Sequence, residues 1–159
     1  MIGAKLGPDE AYRVSRGETV TSFEGWQVKL HKPLDWIVVA DHAENLGLAD
    51  FIERSDAVCL ANETCKRWHD LSKAGRGYEA FLEFARDVTT DQIKEPEMVK
   101  TMWSRVMDNA DKYYEPGVFT TFTGYEWSPH FKGDNMHRVV IFRDGKERPR
   151  ARSGTRSRP

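Results

Sequence analysis

The chain has 159 residues, 39% of them hydrophobic and 31% charged, enough for one domain with its own core and short for two. No run approaches the ~20 apolar residues of a membrane-spanning helix, so no membrane span is expected. The formal net charge of −1 is unevenly spread: residues 143–159 hold seven basic and two acidic groups, leaving 17 basic and 23 acidic on residues 1–142. An acidic body lacks the electrostatic footprint of a nucleic-acid binder, so no nucleic-acid partner is expected. The tail RPRARSGTRSRP has neither aromatic residues nor apolar periodicity. Residues 147–159 therefore read as a solvated, disordered end, and residues 1–146 as the folded domain. The opening MIGAKLGPDE carries no apolar segment of the kind an export signal needs, which leaves the compartment open.

In chain order, Pro8-Asp9-Glu10 starts a short helix, with proline in the first turn, two acids at its positive end and Gly17 as its stop. Residues 18–33 are mixed and turn-rich. Residues 35–40 form the first convincing strand, whose unbroken apolar run Trp36-Ile37-Val38-Val39-Ala40 fits a parallel strand buried on both faces. Helical character runs from about Leu46 until Gly75 and Gly77 interrupt it, and a further amphipathic piece places Phe81, Phe84, Ala85 and Val88 on one side. Cys59 and Cys65 are too few for a disulfide framework, and six residues apart on a predicted helix they do not favour pairing. With His69 they make no zinc spacing, and buried small hydrophobes beside a surface histidine account for them better. The clearest helix is 96–114, with Val99, Met102, Trp103, Val106, Met107, Ala110 and Tyr113 at three- and four-residue steps. Strands 118–127 and 137–143 follow.

Strands separated by helical cover point to an α/β layer or barrel with parallel pairing. Three visible strands are too few to close a barrel, and an open sheet of three leaves both edges bare.

In such folds ligands gather at the carboxyl ends of strands. The first strand ends in Asp41-His42, with Glu44 just beyond; the second carries Glu126 near its end; the third starts at His137, after Asp134 and Asn135. Imidazole and carboxylate suit zinc, manganese or iron. The plainer alternative is that Asp41 caps the following helix, Glu126 is solvated, and each histidine is a surface or satisfied core residue. His31 and His130 lie in polar loops and have weaker claims. There is no nucleophile elbow, phosphate loop or dinucleotide fingerprint.

The stretches PLDWIVVADHAENLG, PGVFTTFTGYEWS and NMHRVVIFRD resemble successive blocks of a bacterial family of unknown function numbered 3604, and GPDEAYRVSRGETVTS resembles the block before them. The resemblance spans most of residues 7–146. That family is similar in turn to the PHP (polymerase and histidinol phosphatase) superfamily of metal-dependent hydrolases. These are distorted, TIM-like β/α barrels that hold two or three divalent metals and mostly hydrolyse phosphoesters. The resemblance implies a small-molecule phosphoester substrate and a divalent metal centre held by His42, with Asp41 as ligand or orienting neighbour, Glu126 as bridging carboxylate and His137 as a further ligand. Glu44, Asn135 and Arg138 would stand near substrate. The superfamily's H-x-H and D-x-H motifs have no counterpart here, and ERPRARSGTRSRP departs from the family pattern. The chain therefore reads as an internal piece of a barrel incomplete at both ends, with part of a metal shell and little activity alone. Full-length relatives often carry export signals.

Overall fold

The structure, a computed structural model, describes residues 6–43, 45–86, 95–128, 130–131, 134–143 and 145. Glu44, Val88 and the basic tail 147–159 lie outside the described residues.

The first helix, α1 (Pro8–Ser15), forms where expected. The Gly7 amide donates to Glu10 Oε2 at 2.9 Å, half of a capping box. It stops at Gly17, whose φ of +84° lets the Glu18 amide turn back onto the Arg13 carbonyl at 3.0 Å. The turn-rich stretch holds a small antiparallel hairpin, β1 (Val20–Thr21) with β2 (Gln27–Val28), in the register Val20 to Val28. Next comes β3 (Trp36–Val39).

The helical region before Gly75 is three helices rather than one: α2 (Leu48–Glu53), α3 (Ala57–Ala61) and α4 (Glu63–Lys73). Asp56 and Asn62 supply the breaks, each accepting a backbone amide as N-cap, from Val58 and from Cys65 respectively, at 3.0 Å. This corrects the expectation for the cysteines. On one continuous helix, residues six apart are separated by roughly 9 Å along the axis. The turn at Asn62 brings the Cα atoms to 5.1 Å, and Cys59 and Cys65 form a disulfide. α5 (Gly77–Arg86) and α6 (Pro96–Tyr113) complete the helices, and α6 ends within a residue of its predicted stop. Then follow β4 (Thr120–Trp127), the short pair β5 (His130–Phe131) and β6 (Asp134–Asn135), and β7 (Arg138–Phe142).

The expected mixed α/β architecture is present. The main sheet has the order β3-β4-β7: β3 runs parallel to β4 in the register Trp36 to Thr120, but β7 runs antiparallel to β4, pairing Trp127 with Arg138. Pairing is thus mixed rather than parallel throughout, and the described strands form open sheets and close no barrel. A parallel return needs a dozen or more residues, and only ten separate Trp127 from Arg138, with the β5–β6 pair among the described ones.

One face of the sheet is covered. Ile37 and Val39 pack on Tyr12, Ala110, Tyr113 and Phe119, and the Trp103 ring meets Tyr125 and Phe142 at 5.8 and 5.6 Å. The Thr121 hydroxyl donates to the Ala110 carbonyl, fastening β4 to α6. The other face is largely open, with Trp36, Val139 and Ile141 exposed by 57%, 56% and 49%. The apolar run of β3 therefore marks a strand covered on one face only, contrary to the two-sided burial its composition suggested. A second core of Leu48, Phe51, Ile52, Trp68, Ala80 and Met98 surrounds the disulfide among the helices. α6 enters both, through Met98 in the helical core and Ala110 and Tyr113 under the sheet.

α1 is tied to α6 by Asp9, which accepts from Lys112 Nζ at 2.5 Å and from the Tyr113 hydroxyl at 2.7 Å. These hydrogen bonds, Lys112 first, hold the Asp9 carboxyl below its ordinary value of 3.8. A depressed carboxyl contributes stability that is complete above the unfolded value and lost as pH falls through the folded one. Asp9→Asn is therefore expected to lower the urea midpoint at neutral pH, with the gap from wild type closing as pH drops below 3.8. The disulfide closes a short loop, so replacing both cysteines with serine should cost about 2 kcal/mol in chemical denaturation.

Candidate functional site

The pairing of β3 with β4 continues past the regular strands. The Glu126 amide donates to the Asp41 carbonyl at 2.8 Å, and the Glu126 carbonyl accepts from the Ala43 amide at 2.8 Å, which sets His42 directly opposite Glu126. β7, running the other way, begins where β4 ends, so His137 falls beside this same end of the sheet. Side chains alternate across a strand, and this register puts His42, Glu126 and His137 on one face, the uncovered one.

Their side chains meet. His42 Nε2 lies 3.3 Å from Glu126 Oε2, and His137 Nδ1 lies 2.6 Å from Glu126 Oε1. The imidazole rings stand nearly perpendicular, 6.1 Å apart. One potential ligand atom from each residue falls within a common span of 4.8 Å, and this is the group able to hold a metal ion among the described residues. Glu126 is mostly enclosed, with 23% of its side chain exposed, whereas His42 and His137 are exposed by 55% and 59%. The centre therefore opens to solvent on the histidine side.

The buried hydroxyl of Ser128, 3.2 Å from His137 Nδ1, was not anticipated. Its signal was its place two residues beyond Glu126, hence on the same face of an extended chain.

Asp41 is not part of this group. As the neighbour of His42 it points to the opposite face, where it borders two cavities of about 400 Å³ each. Its side chain keeps contact with solvent, but the crowding of these walls desolvates the carboxyl and pushes its pKa above 3.8. Its role toward Glu126 runs through the backbone carbonyl. Arg138 pairs with Trp127 and by the same alternation lies on the covered side. Asn135 stands in β6. His31 is exposed, and His69 is held by the Ser55 hydroxyl and by Asp70, each at 2.9 Å, within the helical region.

Two glycines let these elements approach. At Gly124 a Cβ would stand 2.5 Å from Val38 Cγ2 and 2.7 Å from the Val140 carbonyl, so only glycine fits between the neighbouring strands. Gly47 follows the His42 loop with φ of +81°, and a Cβ there would fall 2.0 Å from Met102 Cγ of α6.

Two imidazoles directed at one carboxylate can each donate a ring N–H to it, and the same three groups can instead surround a cation. The set fits an ion: two nitrogens and a carboxylate are the donors of zinc, manganese and iron sites that keep open positions. With bonds of 2.0–2.1 Å, ligand atoms on a tetrahedral ion stand roughly 3.3 Å apart; His42 Nε2 and Glu126 Oε2 have that separation, whereas His137 Nδ1, 2.6 Å from Glu126 Oε1, is at hydrogen-bond distance and would leave its other ring nitrogen to meet an ion.

No helix among the described residues is long and apolar enough to cross a membrane. Neither the curated proteins nor the solved structures include a match to this chain. Over residues 1–157, through most of the arginine-rich end, the chain matches the family described as "Protein of unknown function (DUF3604)", and it belongs to that family.

Proposed function

We propose that the chain carries a divalent-metal centre of a hydrolase acting on phosphoester-like substrates, with His42, Glu126 and His137 as protein ligands. The observation that carries this reading is the convergence of two imidazoles and one carboxylate from three strand ends on the open face of a sheet. The resemblance of the family to PHP-type hydrolases, with their barrel fold and clusters of two or three metals, supports the reaction class.

His42, Glu126 and His137 would hold the ion, which would supply Lewis-acid polarisation of a phosphoryl oxygen and a water made nucleophilic near neutral pH. The residues of the chain do the rest. The backbone pairing at Asp41 and Ala43 fixes Glu126 between the rings. Glu126 and Ser128 together hold His137 Nδ1, which sets the orientation of that ring. Asp41 acts through its carbonyl as a positioning residue. Exposure of both imidazoles leaves the approach free for a substrate.

Titration calorimetry with zinc and with manganese should show binding that His42→Ala, Glu126→Gln and His137→Ala each weaken at least about tenfold. Saturating metal should raise the melting temperature of the wild type and not of the variants, since binding to the folded state alone stabilises by mass action. Equal metal affinity in all three variants would reduce the cluster to a hydrogen-bonded strand end in a non-catalytic domain. In a screen of phosphodiesters with the same metals, hydrolysis by this chain, which holds only part of the expected metal shell, should be slow, require the ion and be lost in Glu126→Gln.

A further inference from the structure

Ser55 stands where the backbone favours glycine. α2 ends in a paired turn: the Ser55 amide donates to the Ile52 carbonyl at 3.2 Å and the Asp56 amide to the Phe51 carbonyl at 3.0 Å. This closure puts the residue after the helix in the left-handed region, and Ser55 has φ of +55°. Glycine meets that conformation without strain and serine does not. What serine adds is an exposed hydroxyl, 2.9 Å from His69 Nε2. His69 Nδ1 in turn lies 2.9 Å from Asp70 Oδ1.

The protons in this chain are assigned by the carboxylate. Hydrogen bonds from Lys66, whose Nζ lies 2.5 Å from Asp70 Oδ2, and then from His69 hold the Asp70 carboxyl below its ordinary value of 3.8. The ionised carboxylate only accepts, so a neutral His69 carries its proton on Nδ1 and leaves Nε2 to accept from the Ser55 hydroxyl. Nucleophile, base and orienting carboxylate thus follow one another at hydrogen-bond distance. The His69 side chain is largely enclosed, 13% exposed, while Ser55 opens to solvent. The frame behind them is closed: Lys73 Nζ donates to the Glu53 carbonyl at 2.7 Å, tying α4 to the end of α2, and the disulfide at Cys65, one turn before His69, ties α4 to α3.

We propose that Ser55, His69 and Asp70 form a nucleophilic site that takes the acyl group of small activated esters. Ser55 Oγ bonds to the carbonyl carbon while its proton passes to His69 Nε2. The bond from that carbon to the leaving oxygen breaks, and the departing phenoxide takes the proton from His69. Water then attacks the acyl-serine, giving a proton to the same nitrogen, and the acid and the free hydroxyl are released. Asp70 is a positioning residue that keeps the imidazole in the required tautomer. The Ser55 and Asp56 amides are spent within the turn rather than directed at an oxyanion, which confines the reaction to esters whose leaving group departs easily. The inference stands apart from the metal reading, because His42, Glu126 and His137 take no part in it.

The test incubates the full chain, with chelator present to silence metal-dependent hydrolysis, with para-nitrophenyl acetate. Release of nitrophenoxide is followed above the spontaneous rate, and the acetyl group is located by mass spectrometry of peptides. Acetylation of Ser55 in step with nitrophenoxide release is expected. Ser55→Gly suits the left-handed turn, so it should melt no lower than the wild type yet react at least about 100-fold more slowly. His69→Gln should lose a similar factor. Asp70→Asn should slow acetylation about tenfold or more and move the His69 ring proton from Nδ1 toward Nε2, read from the imidazole nitrogen shifts in NMR. An unlabelled Ser55 overturns the proposal, and so does acetyl spread over lysines at equal rates in the wild type and Ser55→Gly. Either result would reduce the three groups to hydrogen bonds that close a turn. An unchanged tautomer in Asp70→Asn would overturn the positioning role of that carboxylate.

Discussion

The double backbone exchange around Glu126 is the constraint on which the site depends. One amide and one carbonyl of a single residue hold the chain on both sides of His42. This extends a parallel register past the regular strands, into the segment that holds the candidate residue His42. Because β7 returns antiparallel from the end of β4, its first residues arrive at the same place. Three segments distant in sequence thus reach one point through main-chain geometry, and side-chain packing has little to do there. Such a site is pinned by main-chain pairing along the sheet and open above it.

The arrangement beneath supports this division. α6 reaches from the helical core to the covered face of the sheet, so both hydrophobic clusters share one rigid element. Aromatic contacts from Trp103 and the Thr121 hydroxyl fix it to β4 and β7. Apolar burial is concentrated on that side, and the face that carries His42, Glu126 and His137 contributes little to the core. A domain built this way keeps its polar cluster free of competing packing demands, while its open face keeps large apolar groups in water.

Much of this was legible from residue patterns, for physical reasons that differ by element. α1 and α6 announce themselves through proline starts, a glycine stop and sustained three-four periodicity, all local signals. The strand positions followed from β-branched runs, and the candidate residues from their places at strand ends. The disulfide was hidden because helical character on both sides of Asn62 masks the N-cap that breaks the helix. The antiparallel direction of β7 was in principle readable from the length of its connection. Burial of β3 was misjudged because an apolar run reports affinity for a neighbour without showing that one is present on each face. Asp41 and His42, adjacent in sequence, read as one feature, yet a period of two sends them to opposite sides.

Gly47 gives the candidate centre a hidden tolerance limit. The loop from His42 to α2 passes α6 where Met102 occupies the space a side chain at 47 would need. The clearance there is set by the absence of an atom, and the left-handed backbone leaves the loop no easy alternative path. A larger residue at that point would need the Met102 side chain to move aside or the strained backbone to give. The room for the turn into α2 is thus set partly by a methionine on a helix that contributes nothing to the cluster itself.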